Sequence, residues 1–168
     1  MIESSFAGVL KARGFRKRGS NWFRTTSSGE YQVVNLQRSS WGSGSFYLNL
    51  GWDPSVAAGD FRSENFCTLS IRAEHTDVIP SIEVVRPDGL AARNLPGILL
   101  LDAEMISRIP EESFLQRLTE VVIIPVAEFM DRTPSLVDLV PLLSAKPQFA
   151  WVPVREELNR RGFTLPAT

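Results

Sequence analysis

Apolar positions change their spacing twice along this chain, and each change marks a boundary between elements. Residues 2–13, "IESSFAGVLKAR", place Ile2, Phe6, Val9 and Leu10 on one face of a helix. Gly14 supplies the left-handed stop, and Phe15 beyond it can fold back on the helix. From Asn21 the period becomes two. "NWFRTTSSGEYQVVNLQRSSWGSGSFYLNLGW" divides at Ser28-Gly29 and at Gly42–Gly44 into three β segments, the pattern of an antiparallel meander. In the second and third of these, Val34 and Leu36 share a face with Phe46, Leu48 and Leu50. Asn35, Gln37, Tyr47 and Asn49 then occupy the opposite face.

A fourth strand is predicted within "FCTLSIRAEH", residues 66–75, after a loop, "DPSVAAGDFRSEN", that has room for a helical turn. The proline- and glycine-rich stretch 76–97 contains "SIEVVR", read as a short edge strand. Helical spacing returns at 111–132, where Leu115, Leu118, Val122, Val126 and Phe129 form a stripe that Pro125 should kink. Thr133-Pro134 reads as cap and first position of a further helix, and "PVREELNRRGF" as the last one, stopped by Gly162. "LKARGF" at 10–15 and "LNRRGF" at 158–163 match at four of six positions. Shared capping chemistry explains the match, because nothing around them repeats. The expected fold is α+β: one domain over 1–168, an antiparallel meander sheet of four or five strands, with the first helix and the C-terminal helices packed on it.

Composition narrows the functional classes. A chain of 168 residues can bury a full core without staples, and its single cysteine, Cys67, excludes an internal disulfide or a multi-cysteine metal site. Its longest apolar runs are far shorter than the roughly 20 residues that cross a bilayer, and the start lacks a secretory pattern. A cytoplasmic protein with no membrane contact is the expectation. Net charge is −1, unevenly spread: residues 1–30 carry six cations against Glu3 and Glu30, whereas 53–131 carry 14 acids and six bases. The basic "KARGFRKRG" stretch beside Trp22 and Phe23 suits single-stranded nucleic acid, but the acidic whole argues against a dedicated binder.

Catalytic sets are wanting. The only histidine, His75, stands beside Glu74 and Asp77 without a partner histidine or cysteine for zinc, and no serine sits in a nucleophile elbow. "GSG" at 42–44 lacks the lysine and helix of a phosphate cradle. No cofactor and no metal are expected.

Leu10, Lys11, Gly14 and Phe15, then Phe23-Arg24, then Asn35 and Gln37, then Asn49-Leu50-Gly51, stand in an order that resembles the bacterial family called domain of unknown function 4304. Cys67 and Arg72 are similar to its later cysteine-to-arginine strand, so the resemblance covers about the first 75 residues. It implies an α+β domain and brings no activity with it. The candidate interaction surface is the polar and aromatic side of the sheet: Trp22, Arg24, Gln37, Trp41, Tyr47, Asn49, Trp52 and Arg72. The leading expectation is a non-enzymatic interaction protein, of the immunity type that masks a partner toxin, with the acidic middle covering a basic site. The alternative is a small-molecule binder or enzyme using that sheet face.

Overall fold

The computed structural model describes residues 1–40, 44–84 and 93–167. Helix α1 (Ile2–Ala12) is followed by five antiparallel strands in sequence order: β1 (Arg16–Arg18), β2 (Asn21–Thr25), β3 (Tyr31–Arg38), β4 (Phe46–Asp53) and β5 (Leu69–Arg72). The α+β meander is thus the observed fold. Its first strand was not predicted, because three consecutive charged residues show no apolar period. They suit an edge strand, where charge discourages pairing with another chain. Gly19, at φ +58°, opens the two-residue turn into β2, as a primed hairpin turn requires.

β6 (Ser81–Val84) pairs with β7 (Arg93–Pro96) in a separate two-stranded ribbon, so the first four residues of "SIEVVR" do not join the main sheet, and the last two lie outside the described residues. The C-terminal part contains α2 (Ala103–Arg108), α3 (Glu111–Leu118), α4 (Ile124–Arg132), α5 (Val140–Ala145) and α6 (Val152–Arg160). Between α3 and α4 the backbone does not simply kink. Residues 119–123 form a π-turn immediately before Pro125. Proline has no N–H to return to the preceding turn, and the extra residue of a π-bulge carries the helix past that gap. The next cap also differs from expectation. Ser135 and Asp138 form a capping box, because the Thr133 hydroxyl instead donates back to the Phe129 carbonyl at 2.7 Å.

All α-helices lie on one side of the sheet. Val34, Leu36, Leu48, Leu50, Leu69 and Ile71 meet Phe6, Leu10, Phe114, Leu118, Val126 and Met130 in one continuous core. The two echoing segments end their helices identically: Phe15 N–H donates to Leu10 O at 3.1 Å and Phe163 N–H to Leu158 O at 2.9 Å. Gly14 and Gly162 hold φ of +81° and +86° at those stops. In both, the arginine before the glycine reaches carboxylates: Arg13 to Asp131 at 3.0 Å, Arg161 to Glu30 and Glu157.

Candidate functional site

The far side of the sheet divides in two. One half is roofed by the loop between β4 and β5, whose Val56, Phe61 and Cys67 pack on Phe23, Tyr31 and Val33. Gly51 lets the loop settle. A Cβ there would stand 2.7 Å from Val33 Cγ1 and 3.0 Å from Cys67 Sγ. Beneath this roof Asp53, fully buried, accepts from Arg62 Nη1 at 2.6 Å and from Ser55 and Thr68 N–H groups. The Tyr31 hydroxyl donates to Arg62 O at 2.6 Å.

Burial pushes the Cys67 thiol up to about 12 from 9.0, with the Asp53 charge adding to the rise, and burial pushes Tyr31 up to about 12 from 10.0. Cys67 therefore remains a protonated thiol at neutral pH and is a poor nucleophile. Because both folded values lie above the unfolded ones, these two groups favour the folded state fully below pH 9. Their contribution is lost as pH climbs from 9 towards 12. A pH series of urea unfolding should show stability falling across that window, with the Cys67→Ala variant falling less. An identical decline in both proteins would contradict the thiol's share.

The other half of the face carries no α-helix residue among the described residues. Strand register places Arg18 opposite Asn21, Asn21 opposite Asn35, Asn35 opposite Asn49 and Asn49 opposite Arg72. One residue from each strand thus forms a single row of three amides between two guanidinium groups. Asn35 Nδ2 donates to Asn21 Oδ1 at 2.9 Å. Asn49 Nδ2 donates to Asn35 Oδ1 at 3.2 Å and to Gln37 Oε1 at 3.0 Å. These contacts tie the amides to one another; Asn35 and Asn49 are only 6 % and 7 % exposed while Gln37, Arg18 and Arg72 stand out in solvent. Tyr47, opposite Gln37, is half-buried under the Arg72 guanidinium, 4.2 Å from its ring centre. Glu74 adds a carboxylate 3.6 Å from Arg72.

Of the sequence-predicted surface, Gln37, Tyr47, Asn49 and Arg72 come together here. Trp22, Arg24 and Trp52 do not, and they correct the expectation. Register pairs Trp22 with Val34 and Trp52 with Gln32, which puts both rings on the helix-covered side at 1 % and 0 % exposure. Trp22 stacks on Phe6, and Trp52 meets Phe129 edge-on and donates to Thr133 O at 2.8 Å. Arg24 donates to Met130 O at 3.1 Å and Arg13 O at 2.8 Å and pairs with Asp131 at 2.8 Å. Gln32 Nε2 meets Met130 O and Thr133 O. Together they satisfy the orphan carbonyls at the C-terminus of α4, where a cation also suits the helix dipole. Trp41 lies outside the described residues, as do Gly42 and Ser43 of the "GSG" turn.

Arg18 and Asn21 are the row members that sequence reasoning missed. A signal existed: "RKRGSNWF" holds the glycine of a two-residue hairpin, and extending the period-two reading back across it puts Arg18 beside Asn21. His75 stacks on Phe149, with ring centres 4.7 Å apart, its carbonyl accepts from Lys146, and its Nε2 lies 3.7 Å from the Glu74 carboxylate that also meets Arg72. No group of three metal-ligating side chains occurs among the described residues, and no described helix is long and apolar enough to cross a membrane.

Fold and site together define an α+β protein whose meander sheet carries helices on one side and an amide row on the other. The family described as domain of unknown function (DUF4304) matches residues 6–84, from α1 through β6, so this segment is similar to that family. The match spans the whole meander and stops before the C-terminal helices. No curated protein and no solved structure matches the chain.

Proposed function

We propose that this protein is a non-enzymatic interaction module that binds a partner protein across the Arg18–Asn21–Asn35–Asn49–Arg72 row. The carrying observation is the row itself: exposed cations on both outer strands, three ordered amides between them, and, among the described residues, no helix bonded to that half of the face. Five strands spaced ~4.8 Å apart set the two arginines roughly 19 Å from each other. That span exceeds a small ligand and suits a segment of a macromolecule. The buried amides fix the spacing of the row, and its exposed arginines read carboxylates, so the favoured partner surface is acidic.

The polarity of this reading reverses the one drawn from charge along the chain. At least four of the 14 acids of the middle are paired internally: Asp131 with Arg13 and Arg24, Asp53 with Arg62, Asp77 with Lys146, Glu104 with Arg108. An immunity-type role towards a toxin is one form of this function, in a bacterial cytosol that the lone reduced cysteine suits. In that form the row would cover an acidic part of the toxin surface.

Affinity capture from the source cells tests the reading, with wild type compared against the Arg18→Glu/Arg72→Glu double variant. Both side chains are exposed, so stability should change by no more than ~2 kcal/mol, including the lost ring contacts of Arg72 to Tyr47 and of Arg18 to Phe61. Partner affinity should drop at least tenfold. A partner held equally by the double variant, or none recovered by wild type, would sink the proposal.

A further inference from the structure

A second site lies behind the amide row, at the hairpin end of β3 and β4 and on the helix-covered side of the sheet. A cavity of about 730 Å³ opens between the first turn of α1, the hairpin ends of β3 and β4, α2 and the start of α3. Its lining is mainly apolar, from Ile2, Leu36, Phe46, Ala103, Ile106 and Phe114. Leu36 and Phe114, at 2 % and 1 % exposure, form its floor and continue into the core. A volume between roughly 300 and 1,000 Å³ is that of a small-molecule site, whereas a stable protein interface needs about 1,000 Å² of buried surface.

Charge selects the ligand. Arg38 lines the cavity and is exposed, and register sets it opposite Phe46, with its guanidinium 5.8 Å from that ring centre. Among the described residues it rests on this ring and pairs with no carboxylate. Glu3, the acid in the lining, is already neutralised by Lys17 at 2.8 Å. Arg38 is therefore the one cationic side chain among the described residues of a mainly apolar lining. A single guanidinium held by an aromatic ring presents two parallel N–H groups, which match one carboxylate.

We propose that this cavity binds an amphipathic monocarboxylate, a free acid of medium chain length, with its tail against Phe46, Ile106 and Phe114 and its carboxylate on Arg38. Calorimetric titration of the full chain with hexanoate, octanoate and decanoate tests the tail. Affinity should rise about fourfold per added methylene while the cavity still has room. Octanoate against octan-1-ol tests the head: the acid should bind at least tenfold more tightly, and Arg38→Gln should abolish that preference without unfolding the protein, because the side chain is exposed. Ile106→Trp, which fills the hollow, should remove binding of both. The Arg18→Glu/Arg72→Glu variant should bind all of these ligands unchanged, which separates this site from the amide row. No binding of decanoate at millimolar concentration, equal affinity for acid and alcohol, or an Arg38→Gln protein that keeps its preference would overturn the proposal.

Discussion

Trp52→Ala should lower the stability of this protein by about 4 kcal/mol, measured by urea unfolding with the slope unchanged. The ring is fully buried, edge-on to Phe129 at 5.9 Å between centres, and its removal opens a large hole between β4 and α4. The hydrogen bond adds little to that cost. Thr133 O, which accepts from Trp52 Nε1, also accepts from Gln32 Nε2 at 2.6 Å and so is not orphaned by the change. Trp52→Phe should recover more than half of the loss. A surface tryptophan would behave otherwise, since truncation there costs within ~0.5 kcal/mol. A small effect of Trp52→Ala would return the residue to the candidate surface and contradict the register of β3 and β4.

Arg161→Ala should be the next most damaging change, at about 3 kcal/mol. Its guanidinium bridges Glu30 and Glu157, whose side chains are 7 % and 11 % exposed. Without it, Glu30 keeps the Leu136 N–H at 2.8 Å but no cation, and a buried charge that loses its partner is costly. The low end of the usual range applies because Arg161 itself is partly exposed. The diagnostic is the double-mutant cycle. In a Glu30→Gln background, Arg161→Ala should cost less than ~1.5 kcal/mol, because the amide needs no counter-charge. Additive losses would mean that Arg161 acts through packing alone. The pair also ties the β2–β3 hairpin to the end of the last helix, so this change tests how the C-terminal helices are anchored to the family segment at residues 6–84.

The amide row shows how far local pattern reaches. Parity alone separates Asn35, Gln37, Tyr47 and Asn49 from Val34, Leu36, Leu48 and Leu50, because successive side chains of a strand point to opposite sides. The same parity puts Trp52 with Leu48 and Leu50, so its place in the core was legible. Treating tryptophans as a binding signature obscured it. Trp22 and Arg24 differ, because their side is set by the register of β2 on β3, which is a tertiary fact. Arg18 and Asn21 were hidden for a related reason: a strand of three cations has no apolar rhythm, and only pairing to β2 makes it a strand at all.

The sequence by itself determined the opening helix, its glycine stop, the meander, the sides of the central strands and the matched capping of α1 and α6. These rest on backbone preferences and periodicities that act within a few residues of one another. The tertiary structure decided which cations reach which acids, how the chain passes Pro125 through a π-turn, where the loop after β4 lies, and that, among the described residues, half of one sheet face is left without a helix. Each of those outcomes depends on contacts between residues far apart in the chain. They are settled by competition for buried space and for hydrogen-bond partners, which no local spacing records. The functional consequence follows from the last of them: five residues on five strands make one surface row only after the sheet has formed.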